Sequence, residues 1–247
     1  MKIKIENNLN LKKLHKGDKI ALLAILIAII AGIALYSYLP EKVASHWNLD
    51  GMPTGFMDTP LFLVGFPLLM AIIYIGMSLL PQAKELKYEM ELLHREYASF
   101  KAAISAFLAY IYIIILYANS DFSPLNISTS QLVFPGISVF LYYVATVLPR
   151  LKRNHYIGIR TPWTIHNDEV WHKTHLLGGK LFKALSVAVM LATLTASSVS
   201  TWLVIVPILA VGTILLIYSY RLSTKAKGKP PAKEKSKKSK AKAKKKK

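Results

Sequence analysis

Apolar residues in this chain are gathered into six blocks separated by polar connections: Ile20–Leu39, Leu61–Leu80, Ala102–Ala118, Leu132–Leu148, Ala184–Val199 and Trp202–Tyr220. Each holds roughly 16–20 residues, about the number a helix rising 1.5 Å per residue needs to cross ~30 Å of hydrocarbon. None contains Asp, Glu, Lys, Arg or His. Ions buried in lipid are costly and usually functional, so their absence speaks against a proton relay or a charge-lined pore. The pattern predicts an all-α fold, a polytopic membrane bundle of six transmembrane helices. The first block is too long for the apolar core of a signal peptide, and no convincing small-residue cleavage site follows it.

Basic residues in the connections predict the orientation. Lys2, Lys4, Lys12, Lys13, Lys16 and Lys19 precede the first span, and the connection at 40–60 has only Lys42. Lys84, Lys87, Arg95 and Lys101 follow the second span, and none occurs in 119–131. The connection at 149–183 has Arg150, Lys152, Arg153, Arg160, Lys173, Lys180 and Lys183, whereas the turn at Ser200 and Thr201 has none. High and low counts alternate, which predicts both ends in the cytoplasm (N-in/C-in). Three parts follow: a basic cytoplasmic N-terminus (1–19), a six-span membrane domain (20–220) and a lysine-rich cytoplasmic tail (221–247). The predicted location is the plasma membrane.

The formal charge of +19 is mostly that tail, since Lys225–Lys247 carries 13 lysines against the single acid Glu234. A stretch of Lys, Ala, Ser and Pro cannot bury a core and is expected to be disordered. Beside a span it is drawn to anionic headgroups by roughly 1 kcal/mol per lysine near the surface. It lacks the arginine and aromatic residues of a specific nucleic-acid reader. The absence of cysteine excludes disulfides, thiolate zinc sites and cysteine nucleophiles.

Within the spans, Pro67, Pro135 and Pro207 read as prolines tolerated in the first turns of helices, or else as bends that splay one half of the bundle. Ala184, Ala188, Ala192 and Ala196 recur every four residues, which predicts a smooth strip for close packing, within the monomer or between copies. Leu86, Met90, Leu93 and Tyr97 lie at helical spacing in the connection 81–101, which reads as an amphipathic cytoplasmic helix continuing from the neighbouring spans. Asn126-Ile127-Ser128 is a glycosylation acceptor in a predicted outer loop.

Two connections carry more unusual residues than linkers need. The outer one (39–60) includes His46, Trp47, Asn48, Asp50, Gly51 and Pro53. The inner one (149–183) includes Asn154, Gly158, Ile159, Arg160, Thr161, Pro162, Trp163, Thr164, Trp171, Thr174 and His175. The wording H-W-N-x-D-G-x-P in the first, and N-x-x-x-G-I-R-T-P-W-T followed by W-x-x-T-H in the second, resembles the two signatures of the SdpI family, the sporulation-delaying-protein immunity proteins. That resemblance implies a six-span protein of binding rather than catalytic type. Known members protect cells against a secreted membrane-active peptide toxin and can hold a repressor at the membrane, so a peptide toxin and a cytosolic regulatory protein are the partners it implies.

Read for their own chemistry, Asp50-Gly51 and Pro53 are turn residues, and His46 and Trp47 suit the headgroup layer, as a ligand contact or as a structural cap. Arg160 offers a planar fork for phosphate or carboxylate, and Trp163 and Trp171 are expected at interface depth. Thr164 or Asn167 could cap a helix from about Asp168, placing His172 and His175 on one face, with Gly178-Gly179 loosening the chain before the fifth span. The inner loop then reads as a packing and headgroup motif, as a docking surface, or as a metal or acid–base site of Glu169, His172 and His175. The last spacing matches no zinc motif, so no catalytic residue, metal or cofactor is expected. A membrane enzyme built on 166–175 and a small-solute transporter are the competing functions.

Overall fold

The computed structural model describes residues 15–48, 52–80, 87–121, 129–194 and 198–227. Its elements run α1 (Lys16–Leu35), β1 (Lys42–Trp47), β2 (Pro53–Asp58), α2 (Thr59–Leu79), α3 (Lys87–Asn119), α4 (Thr129–Val147), the single-turn α5 (Pro162–Ile165), α6 (Asp168–Ala192) and α7 (Ser198–Lys227). Six helices, all but α5, are long and apolar enough to span a membrane. Large apolar side chains such as Leu23, Ile33, Val64, Val139 and Leu209 cover their outer surfaces, which is the arrangement lipid favours and water penalises.

The helices form two groups of three. In the first, Ala24 and Ala28 of α1, Phe62 and Met70 of α2, and Ala109, Tyr112 and Leu116 of α3 share one core. In the second, Phe134 of α4, Leu185 and Val189 of α6, and Val204, Val211 and Leu215 of α7 share another. The groups meet along α3 and α4, where Phe107 stacks on Phe140 with ring centroids 5.0 Å apart and Tyr143 donates to Ser99 Oγ at 3.0 Å. A third cluster, with Tyr97, Leu148, Leu151, Ile157 and Trp171, closes one end of this junction.

The three prolines lie inside α2, α4 and α7, beyond the first turn, so the first-turn reading is corrected. A proline at position i leaves the carbonyl at i−4 without its helical donor. For Pro67 that carbonyl is Leu63, and Tyr112 on α3 donates to it at 3.3 Å. Gly32 on α1 makes room for this hydroxyl, since a Cβ there would lie 2.4 Å from Tyr112 Oη. Beside Pro135, Tyr110 donates to Leu132 O at 2.5 Å.

Other expectations change. The chain is not wholly helical, because β1 and β2 form an antiparallel hairpin. The fifth span is not 184–199; α6 runs unbroken from Asp168 to Ala192, and Gly178-Gly179 is buried within it rather than loosening it. A Cβ at Gly178 would lie 2.7 Å from Ile159 Cδ1, and one at Gly179 2.6 Å from Pro149 Cγ, so these glycines let the end of α4 press against α6. Ala184 and Ala188 face outward, and the packed face carries Leu185, Ser186, Val189 and Ala192. Leu93 and Tyr97 are buried on α3, which is continuous with the third span. Helix α7 extends past Tyr220 to Lys227. Residues 1–14, Asp50, Gly51, Leu86, the Asn126 acceptor, Ala196 and the tail 228–247 lie outside the described residues.

The bundle also contains a buried charge pair that the apolar blocks concealed. Lys101 Nζ on α3 lies 2.5 Å from Asp18 Oδ1 on α1, with both side chains under a tenth exposed. Lys101 also reaches Ser78 Oγ at 3.2 Å, Tyr74 donates to Asp18 at 3.4 Å, and the rings of Tyr74 and Tyr97 flank the ammonium.

Candidate functional site

The connection from α4 to α6 folds into a small cage whose members are the signature residues. Asn154, 2% exposed, uses its whole amide: Oδ1 accepts from Tyr156 and Ile157 N–H at 2.7 and 2.8 Å, and Nδ2 donates to Lys152 O and Ile157 O at 2.8 and 3.1 Å. This side-chain-made turn delivers the chain to Gly158, whose φ of +124° excludes ordinary L residues. A Cβ there would lie 2.4 Å from His175 Nε2. The backbone therefore runs directly against the histidine, and Ile159 N–H donates to that Nε2 at 3.0 Å.

His175 is held on both sides. Its Nδ1 is 2.8 Å from Trp171 O, a carbonyl that can only accept. The proton is therefore on Nδ1, Nε2 is the acceptor, and the imidazole is neutral. The ring stacks on Trp171 with centroids 4.0 Å apart, and Trp171 Nε1 donates to Leu151 O at 2.8 Å. Thr174 beside them is fully buried. Trp171, expected at interface depth, is instead a core residue, 2% exposed.

Past Gly158 the chain makes α5. Pro162 occupies the first turn, where its missing N–H costs nothing, and Thr161 caps the turn through reciprocal bonds with Thr164 at 3.2 and 2.8 Å. Trp163 Nε1 donates to the buried Ser219 Oγ on α7 at 2.5 Å, and the ring meets Tyr220 edge-on. Asn167, rather than Thr164, caps α6 by accepting from Val170 N–H at 3.0 Å. Arg153 ties α6 to the loop through Asp168 and Ile165 O. Arg160 is exposed and donates to His155 O at 2.5 Å, leaving most of its fork facing outward.

This geometry speaks against the alternative reading of a metal or acid–base site. His172 is exposed whereas His175 is buried, and Glu169 pairs with Lys173 at 2.6 Å. Both nitrogens of His175 are committed to the backbone. Among the described residues no three His, Cys, Asp or Glu side chains are gathered to hold a metal ion.

At the opposite end of the bundle sits the hairpin. Val43 and Ala44 are buried, Trp47 packs half-buried onto the first core, and His46 and Asn48 are exposed. Asn48 accepts from Met52 N–H at 2.8 Å across the tip. Asn119, at the end of α3, clamps the hairpin by accepting from Ala44 N–H at 2.7 Å and donating to Ala44 O at 3.1 Å. Thr59 donates to Pro40 O at 2.5 Å and fixes the other strand. Below the hairpin, an apolar groove of about 700 Å³ lies between α1 and α2, reaching from Tyr36 and Pro60 to Ala71.

Residues 150–219, from the cage to the last span, match a family model. They match the SdpI/YfhL protein family. The first SdpI-like signature lies within a second match, in which residues 23–71 fit a domain of unknown function, DUF1648. The Immunity protein SdpI of Bacillus subtilis (strain 168) is 25% identical over 156 residues, which is 63% of this chain and 71% of that protein. No solved structure matches. With its six spanning helices, the SdpI-like chain is a multi-pass protein of the cell membrane. The two matches fall on different helix groups, DUF1648 on the first and SdpI/YfhL on the second.

Sequence reasoning missed four structural partners. Asn119 is a lone polar residue at the end of an apolar block. Asp18 and Lys101 flank the blocks and read as ordinary borders. Ser219 is hidden in a run of apolar residues. A polar residue within two positions of the end of an apolar run is the signal they share.

Proposed function

We propose that this protein confers immunity to a membrane-active peptide by binding it, with the hairpin end outside the cell and the signature cage in the cytoplasm. The observation that carries this reading is the clamped hairpin above the groove between α1 and α2. A chain entering from the outer surface would meet His46, Trp47 and Asn48 on a fixed platform and then an apolar trough continuing into the membrane. The Bacillus subtilis relative is by name an immunity protein. Lysine-poor connections at the hairpin end support the orientation. The site is then His46, Trp47 and Asn48, to which the sequence signature adds Asp50 and Gly51. Asn154, Gly158, Thr161, Pro162, Thr164, Trp171 and His175 act as scaffold.

A second role rests on a separate observation. Arg160, His166 and His172 are exposed at the cage end, where His166 joins Trp163 and Tyr220 in bounding a groove of about 480 Å³. These are groups a cytosolic regulator would meet, which supports the recruiting role known members of the family can have.

Expression of the protein in a peptide-sensitive host, with survival measured against graded membrane-active peptide, tests the first reading. Survival that follows protein abundance and falls with His46→Ala, Trp47→Ala at unchanged abundance is expected. Survival unaffected by the protein at any level refutes it. For the second role, an Arg160→Ala variant that keeps protection but no longer recruits a cytosolic protein to the membrane is expected.

A further inference from the structure

The junction between the two helix groups is not fully filled. One cleft of about 370 Å³ lies between α3 and α4, bounded by Ala103, Ala106, Pro135 and Val139, and a second of about 270 Å³ follows it toward the cage, bounded by Phe100, Leu148, Ile157 and Phe182. Phe140 and Tyr143 line both, so the two form one seam along the membrane-facing surface. From Pro135 to Leu148 the helix rise makes the seam about 20 Å long, somewhat more than the ~15 Å of one leaflet. A helix, 10–12 Å across with its side chains, does not fit a slot of that volume and length.

What stands at its cage end is equally specific. Arg150 and Lys152 flank Leu151 there, while Lys183, next to Phe182, lies over the Tyr142 ring at 5.4 Å, farther along the seam. Neither these exposed cations nor Lys180 take part in an ion pair among the described residues. An apolar slot therefore ends at exposed cations that form no ion pair among the described residues, at the depth where a spanning helix meets headgroups.

We infer that the seam holds one acyl chain of an anionic phospholipid, with its phosphate at Arg150 and Lys152, and that this lipid fills the joint between the two helix groups. The inference does not depend on the immunity reading. Its occupant lies in the α3–α4 seam, away from the α1–α2 groove.

Native mass spectrometry of the full chain in mild detergent provides the test, with titration by dioleoyl phosphatidylglycerol or dioleoyl phosphatidylcholine. One phosphatidylglycerol retained at about tenfold lower lipid concentration than phosphatidylcholine is the expected result. Ala106→Phe, which fills the seam from an exposed position, should abolish that retention, and Arg150→Gln, Lys152→Gln should make the two lipids equivalent. If Ala106→Phe does not fold, Val139→Trp, at a side chain already 64% exposed, fills the same slot. Equal retention of both lipids by the unmodified protein overturns the inference, and so does undiminished retention in a folded seam-filling variant. Recovery of a bound peptide from the seam in place of lipid overturns it as well.

Discussion

Breaking the Lys101–Asp18 pair from one side should damage the protein far more than removing both charges. At 2.5 Å and an effective dielectric of ~20, the attraction is about 6–7 kcal/mol, set against a desolvation cost of several kcal/mol for each ion. The hydroxyls of Tyr74 and Ser78 add two favourable contacts, so the net contribution of the intact pair is small. Lys101→Met leaves Asp18 buried without its cation, and Asp18→Asn leaves the ammonium without its anion. Each should cost about 3–5 kcal/mol, whereas the double variant should fall within about 1 kcal/mol of the parent. Equilibrium unfolding of purified protein in a mixed-micelle denaturant series, followed by far-ultraviolet circular dichroism, gives all four corners of the cycle. Additive losses in the double variant would refute a direct pairing. Single variants as stable as the parent would show that water or headgroups reach these positions.

Gly158→Ala should cost about 3 kcal/mol or more, combining positive-φ strain with a Cβ pressed onto His175, as read by the same unfolding assay. Asn154→Ala removes four hydrogen bonds from a buried turn and should lower stability by a similar amount, with trypsin cleavage appearing after Lys152 or Arg153 as an independent sign that the cage has opened. Tyr112→Phe leaves the carbonyl exposed by Pro67 without its donor and should cost about 1–3 kcal/mol, with little loss in a Pro67→Ala background where the helix supplies its own N–H. Asn119→Ala should free the hairpin from α3, giving faster amide exchange at Ala44 while the exchange of α6 stays unchanged.

The spans were legible where burial and hydropathy coincide, and α6 shows why the two can part. Its buried positions are Val170, Trp171, Thr174, His175, Gly178, Gly179, Leu185, Ser186, Val189 and Ala192, an unbroken helical stripe. Several of these are polar or glycine, so a reading by apolar content begins the span some sixteen residues late, whereas a search for 3.6-residue spacing blind to polarity finds it. The signature positions were legible as a set, and Asn167 as one of two candidate caps. Their roles were not, because the neutrality of His175 depends on Ile159 N–H and Trp171 O, which spacing alone does not bring together. The hairpin escaped notice because its second strand, PTGFMD, opens on proline and contains glycine, both poor strand formers; it is held by Asn119 at the end of α3 and by Thr59 at the start of α2.

The division into two cores also has a consequence for synthesis. Asp18, Lys101, Tyr112 and Asn119 all precede residue 122, so the first three helices can neutralise their buried charges, satisfy the Pro67 carbonyl and fasten the hairpin before α4 leaves the ribosome. The amino-terminal unit thus offers the later helices a finished wall to insert against, and an error of insertion in the second group need not strand a lone lysine or aspartate in lipid.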